Sequence, residues 1–108
     1  MNLDVINEMT TLVITATFRD LNGALVTPSS ASYRIDDAIS GSQIRGDTPF
    51  TPAGSSHDIT ISANENRILD NAHNAEERIV TVKFIFGIDN KEGNGEYRYV
   101  VKNLMKIS

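Results

Sequence analysis

The chain has 108 residues, with 14 acidic against 10 basic side chains and a formal net charge of -4; this length suits one domain with one core, and the acidic balance argues against a binder that tracks nucleic-acid phosphates. Without cysteine, disulfide staples, thiolate zinc sites and cysteine nucleophiles are excluded. A composition of 40% hydrophobic and 22% charged residues describes a folded globular chain, the opening MNLDVINEMTTL lacks the basic-then-apolar layout of a secretory signal, and no apolar stretch approaches the roughly 20 residues that span a bilayer.

Residues 1–10 carry Leu3, Val5, Ile6 and Met9. This segment reads either as the first strand of the chain's own fold or as an arm that adds a strand to a neighbour. TLVITATFRD, residues 11–20, is the clearest strand. Leu12, Ile14, Ala16 and Phe18 fall on one face and Val13 with the threonines on the other, the period of two that a half-buried strand requires. Asn22-Gly23 turns the chain sharply, and ALVTP continues as far as Pro28, which lacks a ladder donor. In the strand at 31–36, Ala31, Tyr33 and Ile35 point one way and Ser32, Arg34 and Asp36 the other. Ser40-Gly41 is a turn, and residues 42–50 form a weaker strand interrupted by Gly46 and Pro49.

Alternation resumes at 55–62, with Ile59 and Ile61 inward. Residues 63–77 are polar and rich in Asn and Ala; they read as a long crossover with one helical turn, its Ile68-Leu69 pair plugging the end of the core. A full helix here would make the fold α+β. RIVTVKFIFG, 78–87, is the second strong strand. Val80, Val82, Phe84 and Phe86 face inward, and Arg78, Thr81 and Lys83 are placed outward. Ile79 and Ile85 are also outward, which marks them as covered by a neighbouring chain or close to a sandwich edge. IDNKEGNG, 88–95, reads as a polar hairpin turn. The last strand, 96–104, sets Tyr97, Tyr99 and Val101 against Arg98, Val100 and Lys102. About seven short strands separated by turns predict a two-sheet, all-β sandwich.

Sites of chemistry are sparse. Asp36 and Asp37 are adjacent, and neighbours in a strand point to opposite faces, so they read as a strand end rather than a metal pair. DNKEGNGE places Lys91 and Gly93 where a calcium loop needs oxygen ligands, and so reads as a solvated hairpin. His57 and His73 lack the surroundings of a nucleophile motif. Tyr97 and Tyr99 share a face opposite Arg98 and read as packing rather than as a base-stacking platform.

The stretch FRDLNGALVTPSSASYRIDDAISGSQI resembles the opening of immunoglobulin-like β-sandwich domains of bacteriophage structural proteins. The matching residues are Phe18, Asp20, Asn22, Gly23, Val26, Pro28, Tyr33, Ile35, Asp36, Asp37, Gly41 and Ile44. NRILD, EERIVTVKFIFG and YRYVVKNL resemble the second half of such a domain. The resemblance implies an immunoglobulin-like sandwich of about seven strands over residues 1–108, with 1–10 as a candidate arm and the crossover at 63–77. It further implies a non-catalytic virion protein (capsid decoration, head–tail connection or tail component) without cofactor or metal. The expected partners are capsid or tail proteins or copies of itself, as a homo-oligomer, with no nucleic acid or membrane. A chain that opens on Met1 and lacks cysteine is expected to be a complete small protein, folded in the host cytoplasm before entering the virion. Leu3, Val5, Ile6, Met9, Val13, Ile79 and Ile85 are the candidate interface. The alternatives are an adhesion module for a host-surface glycan or protein, using loops near 45–57 or 89–95, and a small hydrolase.

Overall fold

The structure is a computed structural model and describes residues 4–70 and 72–104. The described residues form seven strands: β1 (Asp4–Asn7), β2 (Leu12–Thr17), β3 (Ser30–Asp37), β4 (Gln43–Phe50), β5 (Ser56–Ile61), β6 (Ala75–Phe86) and β7 (Lys91–Lys102). A single 3-10 turn, Asn64–Asn66, follows β5. One sheet has the order β1-β7-β6-β3-β4 and the other pairs β2 with β5. The chain is therefore all-β and two-sheeted, and no α-helix occurs among the described residues.

Alternation decides what lies between the sheets. Ile14 and Phe18 leaving β2, Ile35 from β3, Ile59 and Ile61 from β5, Val80 and Val82 from β6, and Tyr99 and Val101 from β7 form one buried cluster. The crossover contributes Ile68, as the plug reading expects, whereas its neighbour Leu69 is exposed. Aromatic rings close one end of the core. Phe18 meets Phe84 edge-on at 5.0 Å and Phe50 at 6.4 Å, and Phe50 stacks on His57 at 4.5 Å. His57 thus belongs to the packed face of β5.

Four readings of the sequence are corrected. ALVTP forms no strand; only an isolated Arg19–Leu25 bridge closes the turn, where the Asp20 carboxylate accepts from the N–H groups of Asn22 and Ala24. The crossover runs from 62 to 74, shorter than expected, because β6 begins at Ala75. The hairpin turn at 88–95 contracts to 87–90, and the β6–β7 ladder continues to Phe86 opposite Lys91. Gly87 and Asn90 supply the positive φ angles of that turn, 78° and 51°. Gly93 is there for a different reason: a Cβ on it would lie 2.3 Å from the Phe84 ring, so glycine lets the ring lie across β7. Finally, Arg78 points inward and is fully buried, since it shares parity with Val80 and Val82.

The first segment pairs within its own chain. Asp4 lies opposite Tyr99 and Asn7 opposite Lys102, in parallel, and the Glu8 N–H donates to the Lys102 carbonyl at 2.9 Å.

Candidate functional site: an open-edged groove beside a sealed ionic cluster

Two polar arrangements stand apart from the apolar core. The first is buried at the end where the crossover enters β6. Arg78 is 0% exposed, and the side chains of Asp37 and Glu76 are each 3% exposed. The Arg78 guanidinium donates to Glu76 Oε1 at 2.7 Å, to the Arg67 carbonyl at 2.7 Å and to the Glu65 carbonyl at 3.2 Å. Its Nε lies 3.3 Å from Asp37 Oδ1, close enough to pair as charges but misaligned for a hydrogen bond. The other Asp37 oxygen accepts from the Ser40 N–H and hydroxyl at 2.9 and 2.8 Å, which ends β3 in a turn. Asp36 faces the opposite way and pairs with Arg34 at 2.9 Å. The adjacent aspartates therefore diverge, as the strand-end reading expects.

Glu76 also holds the crossover backbone. It accepts from the N–H groups of Leu69 and Asp70 at 2.9 and 3.1 Å and from His73 Nδ1 at 2.8 Å. Nearby, the buried Tyr99 hydroxyl donates to Asn66 Oδ1 at 2.6 Å, and Asn66 Nδ2 donates to the Thr10 carbonyl at 2.7 Å. These bonds satisfy most of the groups they bury, as a buried polar network must. The cluster is sealed by its own pairing and works as a clamp on residues 65–76.

The clamp predicts a stability window. Burial pushes the Glu76 carboxyl up, but the bonds from Leu69, His73, Arg78 and Asp70 outweigh it and bring the carboxyl down to about 2. A carboxyl depressed by folding stabilises fully above its ordinary value of 4.5 and loses that contribution as pH falls toward 2. The Glu76 bond raises His73, so its contribution is complete below its ordinary value of 6.5 and is lost as pH rises through the raised value. Urea midpoints should therefore peak between about 4.5 and 6.5. Glu76→Gln should flatten the acid limb and His73→Asn the neutral limb. Unchanged limbs in both variants would contradict the clamp.

The second arrangement is a groove of about 530 Å³ between β2 and the β6–β7 ladder. Ile14, Ala16, Phe18, Val82, Phe84 and Tyr97 give it apolar walls, and Asp4, Arg19, Asn94 and Glu96 lie along its rim. Its flanks are strand edges. The Phe18 N–H donates to the Ser55 carbonyl at 2.8 Å, which sets the phase of the β2–β5 ladder and turns the main-chain groups of Val13, Thr15 and Thr17 away from β5. The bond from the Asn103 N–H to the Asn74 carbonyl, 2.9 Å, sets the phase of β6–β7. It turns the main-chain groups of Asn94 and Glu96 away from β6. β1 covers β7 only from Tyr99 to Lys102, so no strand among the described residues pairs with β7 beside the groove. Asp4 is the first described residue of β1 and accepts from the Tyr97 hydroxyl; burial and then this carboxylate push the Tyr97 hydroxyl up to about 12.

No protein-family model, no characterised protein and no solved structure matches this chain. The residues themselves therefore carry the reading.

The candidate interface residues fall in separate places. Val5, Met9 and Val13 are exposed, and Val13 lies on the groove. Ile6 is half-buried and packs against the core. Ile79 and Ile85 lie half-buried on the outer face of the five-stranded sheet, Ile79 opposite Asp36 and Ile85 opposite Ser30. Ile85 also lines a second hollow of about 470 Å³ with Lys83 and Glu92. Leu3 lies outside the described residues. Most of 45–57 and 89–95 is strand, so the two loop sites shrink to 51–55 and 87–90. Sequence reasoning missed Glu76 and Asn66 and the groove itself. Strand parity pointed to Glu76, which shares a face with Val80; an edge left without a partner has no signal in a single strand.

Proposed function

We propose that this chain is a non-catalytic structural subunit, an immunoglobulin-like sandwich of the kind found in bacteriophage virions, which works by protein–protein contact as a capsid decoration, head–tail connection or tail component. The strand order supports the architecture: β3, β6 and β7 lie side by side across from β2 and β5, as the C, F and G strands of an immunoglobulin sandwich lie across from B and E. The observation that carries the contact role is the pair of open edges around the groove. Open strand edges promote association unless they are blunted or covered, and here two of them flank an apolar surface. Mass spectrometry of intact particles produced from the genome that carries this sequence should find the chain in a fixed ratio to the major capsid or tail protein. Particles that form with full infectivity and without the chain would remove the reading.

A further inference from the structure

We propose that the groove between β2 and β7 is a strand-docking site, and that its occupant is an extended segment of a partner protein, apolar at alternate positions and basic at the end that meets Asp4 and Glu96. The inference rests on the contact role proposed above and names what is contacted. Main-chain N–H and C=O groups line both flanks of the groove, along Val13 to Thr17 on one side and at Asn94 and Glu96 on the other. A small apolar molecule leaves those groups unpaired, whereas a polypeptide in extended form satisfies them by ladder bonds. An extended segment also projects every second side chain one way, which suits a floor made of Ile14, Ala16, Val82 and Tyr97. The stretch that lines the groove, Val13 to Arg19, made of β2 and the two residues after it, accommodates roughly 20 Å of strand at about 3.3 Å per residue.

The ends of the groove differ in charge. Asp4, the first described residue of β1, and Glu96 on β7 bring carboxylates to the groove, and Arg19, two residues past the end of β2, brings a cation. A basic residue on the docked segment meets Asp4 and competes with Arg98, whose Nε lies 3.0 Å from Glu96 Oε1, and an acidic one meets Arg19. Such rim charges fix register and orientation more than affinity.

The probe is a synthetic seven-residue peptide, lysine first, then alternating valine and threonine, closed by glutamate. Nuclear magnetic resonance of the full chain should show saturable binding, with the amides of Val13, Thr15 and Thr17 gaining protection from hydrogen exchange. Replacing the peptide's lysine by glutamate should weaken binding about tenfold, and Glu96→Lys should reverse that preference. Thr17→Pro removes an outward N–H without touching the β2–β5 ladder and should weaken binding at least about tenfold. If that variant fails to fold, Ala16→Phe, which fills the groove, takes its place.

Absence of saturable binding to the unmodified chain, or binding that protects amides elsewhere, overturns the proposal. So does an apolar dye that displaces nothing and fills the groove without protecting the edge. Protection that rises with protein concentration and needs no peptide assigns the groove to a second copy of the chain. That result overturns the docked segment while leaving the contact role in place, whereas dispensability in particles sinks the contact role.

Discussion

Replacing Arg78 by methionine should destabilise the fold by about 3–5 kcal/mol, the usual result of removing one partner from a buried ionic group. The cation is fully enclosed and its two carboxylates are nearly so. Without it, Asp37 and Glu76 keep their burial and lose their counter-charge. The guanidinium also holds the carbonyls of Glu65 and Arg67, so the crossover loses two anchors at once. Lysine cannot substitute, because a single ammonium does not reproduce the planar fork that reaches Glu65, Arg67 and Glu76 together. Urea unfolding at neutral pH is the measurement. The deficit should narrow in acid, where the orphaned Glu76 carboxylate protonates. It should narrow as well in the triple variant with Asp37→Asn and Glu76→Gln. A loss below about 1 kcal/mol, in the range of exposed ion pairs, would mean that water reaches the cluster and that the clamp is not closed.

Phe18→Ala should cost a similar amount, about 3–5 kcal/mol, for an unrelated reason. The ring is 1% exposed and links three parts of the chain: its own position at the end of β2, Phe84 on β6 and Phe50 on β4. Removing it deletes apolar burial between the two sheets and leaves a cavity that the rigid ladders on either side cannot fill. The main chain at this point is fixed independently, through Ser55 and Val26, so the neighbours have little freedom to collapse inward. Val13→Ala is the matched control. It lies on the outer face of the same strand and is 55% exposed, and its effect should stay within about 0.5 kcal/mol. Equal losses in the two variants would show that the β2 face assignments are wrong.

The alternation of side chains carried most of the architecture. Leu12, Ile14, Ala16 and Phe18 face the core as the period of two requires, and so do Ile59, Ile61, Val80 and Val82. Charge and glycine content point the other way at two positions, and there period and packing prevail. Arg78, expected among the outward positions, shares parity with Val80 and lies inside; two buried carboxylates explain how the fold tolerates it. Gly93 and Gly95 belong to a stretch whose composition reads as a turn, whereas the structure uses Gly93 to make room for a ring. The groove had no local signature. Among the described residues, β1 reaches only the last four residues of β7 and β2 has a ladder partner on one side alone, and both are facts of assembly between segments far apart in sequence.

The pairing of β1 with β7 also dictates an order of events. Asp4 waits for Tyr99, so almost the whole chain separates the two strands, and ladders of such long range form late and slowly. During synthesis the first strand has nowhere to go until the last one has left the ribosome. In that interval β1 lacks its partner, and a nascent chain in this condition is open to mispairing with its neighbours.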